Sequence, residues 1–134
     1  MVENNSQNFL QLEEDAKEVL AKNDRGNYTC PNVHLYPYQW LWDSCFISIG
    51  ISHYDIDRAK QEILSLFEGQ WANGMMPNIV MWKHNGKGLD VNNTNEHIWR
   101  SWLNPASPDD LETSGITQPP MIAEAVVKIG EKMN

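Results

Sequence analysis

The stretch SCFISIGIS, residues 44–52, carries apolar side chains on nearly every face. A surface helix needs a polar side and a half-buried strand needs strict alternation, so this stretch has to be enclosed by neighbours, as a helix is within a larger structure. Its isoleucines leave a strand as the alternative. Helix is favoured by what comes next. Asp55 is a good N-cap, and beyond it Ala59, Ile63, Leu66 and Phe67 fall on one side of a helix while Arg58, Lys60, Gln61 and Glu62 fall elsewhere. This amphipathic helix stops by Gly74.

The flanks repeat the pattern. Residues 6–23 set Leu12, Ala16, Val19 and Leu20 on one stripe, against a solvated face with Glu13, Glu14, Asp15, Lys17 and Glu18, and the helix ends near Gly26. Residues 23–32 are polar and turn-prone. Residues 73–114 lose helical periodicity, with Gly74, Pro77, Gly86, Gly88, Pro105 and Pro108 as punctuation and Trp82, Trp99 and Trp102 among them. A connection that long is uncommon in a compact domain and points to a functional loop packed on other structure. Helix returns after Pro119 and Pro120, where proline suits a first turn, and runs through Ile122, Ala123, Val126, Val127 and Ile129. An all-α class follows, and 134 residues allow one core rather than two domains.

With 41% apolar and 21% charged residues the chain is neither disordered nor fibrous. A formal charge of -8 with scattered Lys and Arg excludes a nucleic-acid backbone as partner, since that contact needs clustered cations. The first residues lack a basic stretch followed by an apolar run, and no segment is apolar for the length of a membrane span, so a cytoplasmic chain without a membrane partner is expected. In that compartment Cys30 and Cys45 are reduced thiols, and the glycosylation-type triplets at Asn4, Asn27 and Asn92 carry no weight. His34, His53, His84 and His97 lack zinc-ligand spacing, and Gly86 to Gly88 is too short for a phosphate loop and reads as a turn, so neither metal nor cofactor is expected.

Sugars present ring faces of C–H bonds and edges of hydroxyls, so a sugar pocket combines flat aromatic platforms with carboxylates and amides. Tyr36, Tyr38, Gln39, Trp40, Trp42 and Asp43 supply that combination in one short segment whose middle, at Pro37, is a poor helix interior. The alternative is that these aromatics are ordinary core and Asp43 caps the following helix. Composition leaves both open. Glu96 and His97, beside Trp99 and Trp102, read as a packed loop, with a lid over the pocket as the alternative.

The segments YPYQWLWDS (36–44), NGMMPN (73–78) and SGITQPP (114–120), with the helical residues 55–70 in order among them, resemble the start of the mannosylglycerate and glucosylglycerate hydrolases of glycoside hydrolase family 63. The similarity runs over roughly residues 8–130. It implies the opening helix pairs of an (α/α)6 toroid, in which outer and inner helices alternate and the loops at one end build the sugar cleft. A full toroid has twelve helices and this chain shows about four, so residues 1–134 are expected to be the N-terminal part of one such domain. A partial toroid exposes apolar helix faces, and self-association through them is expected.

The resemblance also implies roles. Tyr36, Trp40 and Asp43 line the pocket of the sugar to be cleaved, Asp43 gripping it with Trp40 and Tyr36 as walls, Gln118 contacts it too, and Trp42 is counted with these substrate-binding residues. Asn78 stands near the same pocket, where family members often have histidine. The partner implied is a small glucoside or mannoside, such as glucosylglycerate or mannosylglycerate. Inverting hydrolysis needs an acid and a base about 6.5–9.5 Å apart. In the resembling enzymes both come from motifs beyond residue 134, so this chain supplies binding and no catalytic group. Without the resemblance, Asp43 is the candidate acid. Two other classes remain: a non-catalytic carbohydrate-binding fragment and a plain helical interaction module.

Overall fold

The computed structural model describes residues 2–82 and 101–133. The expectations for His84, for Gly86 to Gly88, for Asn92, Glu96, His97 and Trp99, and for the Trp102 side chain lie outside the described residues. Among the described residues four α-helices carry the fold: α1 (Val2–Asn23), α2 (Leu41–Ile51), α3 (Ile56–Glu68) and α4 (Ile122–Glu131), with a short 3-10 helix at Ser101–Leu103. The apolar stretch after Asp43 is therefore a helix and starts two residues before it. Leu41, Cys45 and Ile51 from α2, Ala59, Ile63 and Leu66 from α3, and Ala125 and Ile129 from α4 form one core. Leu66 is wholly buried, and enclosing a leucine side chain contributes about 1.5–3 kcal/mol.

Local signals explain the helix ends. The Asp55 side chain accepts the Arg58 N–H at 2.9 Å, the expected cap of α3. After α1, the Asp24 side chain accepts the Gly26 N–H at 2.6 Å in a turn that needs φ +94° at residue 26, a conformation glycine adopts without strain. Pro119 and Pro120 do not enter the first turn of α4, whose N-cap is Met121. Pro120 restricts Pro119 to extended backbone, which keeps Pro119 out of the helix. Of the stripe expected on α1, only Leu20 packs on the core; Leu12 and Val19 are exposed.

The expectation of a helical fold holds, with the addition of a small antiparallel sheet, β1 (Gln39–Trp40), β2 (Ile79–Met81) and β3 (Glu112–Thr113), in the order β1-β2-β3. Gln39 faces Val80, and Val80 faces Thr113. Strands of two or three residues are too short to show a period, and their pairing is set by contacts distant in sequence. The described part of the long connection does pack on the body. The Trp71 indole donates to Thr113 Oγ1 at 2.9 Å, and the Ala72 N–H donates to the Ala106 carbonyl at 2.7 Å.

At the end of α3, Gly69 lets β2 approach closely, since a Cβ there would lie 2.6 Å from Val80 Cγ2. Val80 is fully buried and β-branched, so it has little room to move. Gly69→Ala is expected to cost about 1–3 kcal/mol through overpacking, read as a lower urea midpoint. An unchanged midpoint would show that Val80 yields.

Both cysteines are free and buried, and burial pushes the Cys45 thiol up to about 12, which keeps it protonated and unreactive. Among the described residues no helix is long and apolar enough to cross a membrane.

Candidate sugar-binding site

The aromatic segment runs through β1 directly into α2, so its last residues form the first turn of a helix. Trp40, the N-cap of α2, offers no side-chain acceptor to that turn. Other segments take over. The Leu41 N–H donates to the Asn78 carbonyl at 3.0 Å, and the Trp42 N–H donates to Gln118 Oε1 at 3.2 Å. Gln118 thus acts as a cap from a distant loop, satisfying a donor that helix geometry leaves unpaired. The three resembling segments, 36–44, 73–78 and 114–120, meet at this one helix end.

Around it the aromatics are partly open. Tyr36 is 50% exposed and meets the half-buried Trp40 edge to face, centroids 5.5 Å apart. Trp42 is 43% exposed and leans on Phe46 one turn on, centroids 6.3 Å apart. Partial exposure of flat rings suits a sugar face and is less suited to a closed core. The Trp40 indole N–H is buried without a hydrogen-bond partner among the described residues.

Asp43 lies half-buried in the first turn of α2. Desolvation by burial raises its pKa above the ordinary 3.8, partly offset by hydrogen bonding to its own backbone N–H and to the Trp42 side chain. An aspartate in a first turn also faces the positive end of the helix dipole, which favours its charged form. The carboxylate can accept hydroxyl hydrogen bonds, while the aromatic rings cover C–H faces.

Asn78 is only 7% exposed and its Oδ1 accepts from the Ser114 hydroxyl, which leaves its amide nitrogen as the group able to meet a ligand. Its backbone N–H donates to the Ile116 carbonyl at 2.8 Å, so residue 78 also ties β2 to the 114–120 segment. Gln39 is corrected as a hydroxyl-gripping residue. It is wholly buried, its Nε2 donating to the Glu62 carbonyl at 3.0 Å and to Ser65 Oγ at 2.8 Å, and its Oε1 accepting from the Trp82 indole at 2.8 Å. Its neighbour Tyr38 is half-buried.

Glu62 is the second correction, because it belongs to the interior and not to the polar flank of α3. Its carboxyl is fully buried, with Oε1 accepting from the Ser44 hydroxyl at 2.5 Å and Oε2 lying 3.0 Å from Arg58 Nη1. Desolvation raises its pKa above 4.5, against the lowering effects of Ser44 and Arg58. The spacing carried a sign of this: Glu62 stands three residues after Ala59 and four before Leu66, within the apolar stripe. Among the described residues no group of three or more His, Cys, Asp or Glu could hold a metal ion.

Comparison with known proteins identifies the family of the chain. The family described as mannosylglycerate hydrolase MGH1-like glycoside hydrolase domain matches residues 36–132. Among curated relatives, the mannosylglycerate hydrolase of Thermus thermophilus is 45% identical over 121 residues, 87% of this chain and 26% of that enzyme. The mannosylglycerate hydrolase of Rubrobacter radiotolerans is 41% identical over 114 residues, 85% of this chain and 25% of that enzyme. The glucosylglycerate hydrolase of Mycolicibacterium hassiacum is 38% identical over 122 residues, 90% of this chain and 26% of that enzyme. A crystal structure of the GH63 mannosylglycerate hydrolase from Thermus thermophilus, in complex with Tris and D-glycerate, superposes with a TM-score of 0.68 at 44% identity, covering 90% of this chain and 26% of that one. The chain spans about a quarter of the length of these relatives, and over that span it belongs to the mannosylglycerate hydrolase MGH1-like glycoside hydrolase family.

Proposed function

We propose that this chain forms one wall of the sugar pocket of a glycoside hydrolase that cleaves a small glucoside or mannoside, such as glucosylglycerate or mannosylglycerate. The observation that carries the reading is the hydrogen bond from the Trp42 N–H to Gln118 Oε1, which brings Gln118 to the helix end holding Trp40 and Asp43. Asp43 accepts from sugar hydroxyls, Tyr36, Trp40 and Trp42 cover ring faces, and the amide nitrogens of Gln118 and Asn78 donate at the edge. The acid and base of an inverting reaction come from outside this segment, in the remainder of an (α/α)6 toroid that works in the cytoplasm.

An apolar groove between α3 and α4, with a volume of about 370 Å³ and lined by Ile63, Leu64, Phe67, Val126, Ile129 and Met133, supports self-association when the segment is produced alone. The second reading, carbohydrate binding without catalysis, rests on the make-up of the candidate site, where Asp43 stands among aromatics and amides that grip but do not transfer protons.

Both readings are tested by incubating the full-length protein, and separately this segment, with glucosylglycerate, mannosylglycerate and aryl glucosides while following released sugar. Turnover is expected from the full-length protein and none from the segment, because each positioned acid or base contributes about 10²–10⁴-fold. Silence of both favours the binding reading. Turnover by the segment, abolished by Asp43→Asn, makes Asp43 the catalytic acid.

A further inference from the structure

Gln39 and Ser44 bracket the stretch from Trp40 to Asp43, and both are tied to a single residue of α3. The Ser44 hydroxyl donates to Glu62 Oε1 at 2.5 Å. Gln39 Nε2 donates to the Glu62 backbone carbonyl at 3.0 Å and lies 3.5 Å from Oε1. Glu62 is itself anchored, since Arg58 Nη1 stands 3.0 Å from Oε2, while Arg58 Nε donates to Asp24 Oδ2 at 3.1 Å and Nη2 to Thr29 Oγ1 at 2.8 Å. Every charged or hydrogen-bonding member of this network is at least half-buried.

We propose that Glu62 is a positioning residue for the sugar pocket: by holding Gln39 before the first turn of α2 and Ser44 within it, it fixes the rotation and height at which Asp43 meets the sugar. The inference rests on the reading of Asp43 as a sugar-binding group. Core stability alone does not require such an arrangement, because well-packed apolar residues replace a buried ion pair at no loss and often with a gain. What the carboxylate adds is a fixed geometry, as a hydrogen-bonded network specifies one arrangement where apolar contacts tolerate several. Its hydrogen bond to Ser44 and the bond from Gln39 to the Glu62 backbone carbonyl enclose the pocket residues Trp40, Trp42 and Asp43. A displacement of about 1 Å at a substrate-gripping group costs on the order of 10²-fold in rate.

The test uses the full-length hydrolase and kcat/KM at a temperature well below unfolding. Ser44→Ala removes one tether and leaves the Arg58–Glu62 pair in place; it is expected to lower kcat/KM by about tenfold. In an Asp43→Asn background the same change is expected to cost less than about twofold, because the group it positions is gone. Glu62→Gln keeps an acceptor at Oε1 and is expected to stay within about threefold of the parent, whereas Glu62→Asp, too short to reach Ser44, is expected to match Ser44→Ala. A purely structural role predicts altered melting with unchanged kinetics in the folded enzyme. The proposal is overturned if folded Ser44→Ala and Glu62→Asp both keep parental kcat/KM, or if the Ser44→Ala factor is as large in the Asp43→Asn background as in the parent. Parental activity in Asp43→Asn sinks the pocket reading itself and this inference with it.

Discussion

Replacing Glu62 by alanine is expected to destabilise the protein by about 3–5 kcal/mol, the usual cost of removing one partner from a buried ion pair. The carboxyl is fully buried, and Arg58 is 16% exposed at its side chain. Truncation leaves that guanidinium with Asp24 and Thr29 only, and deprives the Ser44 hydroxyl of its acceptor. Urea unfolding checks this, with the midpoint moving far more for Glu62→Ala than for Glu62→Gln. The pH dependence has a defined sign. Because burial raises the folded pKa above the ordinary 4.5, the folded chain binds this proton before the unfolded chain does. Glu62 therefore contributes to stability most at a pH below that ordinary value, and its contribution declines as pH rises to the folded pKa. A midpoint for Glu62→Ala within experimental error of the parent would mean that the carboxyl is solvated.

Asp43→Asn in the proposed full-length hydrolase is expected to lower kcat/KM at least tenfold while leaving the fold intact. A hydrogen bond to a charged group contributes about 1.5–3 kcal/mol, and each 1.4 kcal/mol is about tenfold. The fold survives because desolvation outweighs the hydrogen bonds that favour the charged carboxyl, so the neutral amide is tolerated. The raised pKa adds a second signature: sugar affinity declines, as pH falls, at a pH above the ordinary 3.8 of an aspartate. In Asp43→Asn that inflection disappears. Activity near the parental level in a correctly folded variant removes Asp43 from the pocket.

How much of this was readable from sequence depends on the range of each interaction. The Asp55 cap and the α3 stripe involve residues three or four apart, and the cap and the stripe residues Ala59, Ile63 and Leu66 are found where spacing puts them. The aromatic segment was legible as a cluster, since its chemistry lies in neighbouring residues. Its division was not. Gln39 turns inward to partners 23 to 43 positions away, Glu62, Ser65 and Trp82, while Trp42 stays open in the first turn of α2. Phe67, assigned to the core side of α3, is 42% exposed and lines the groove instead. Glu62 was masked by its charge, although its position in the stripe marked it as interior. The link between Trp42 and Gln118 spans 76 positions, and only the fold brings them together.

Because α2 starts without a side-chain cap of its own, its first turn is completed only by segments distant in sequence. Helices α2 and α3 are joined by residues 52–55 and can pair as soon as both are made, since closing a short loop costs little entropy. The first turn of α2 waits for Asn78 and Gln118, and β1 waits for Val80. Contacts so distant in sequence form slowly, after local ones have reduced the search. On an emerging polypeptide the helical hairpin therefore precedes the proposed sugar rim, and Asp43 acquires its final setting only when residue 118 has left the ribosome.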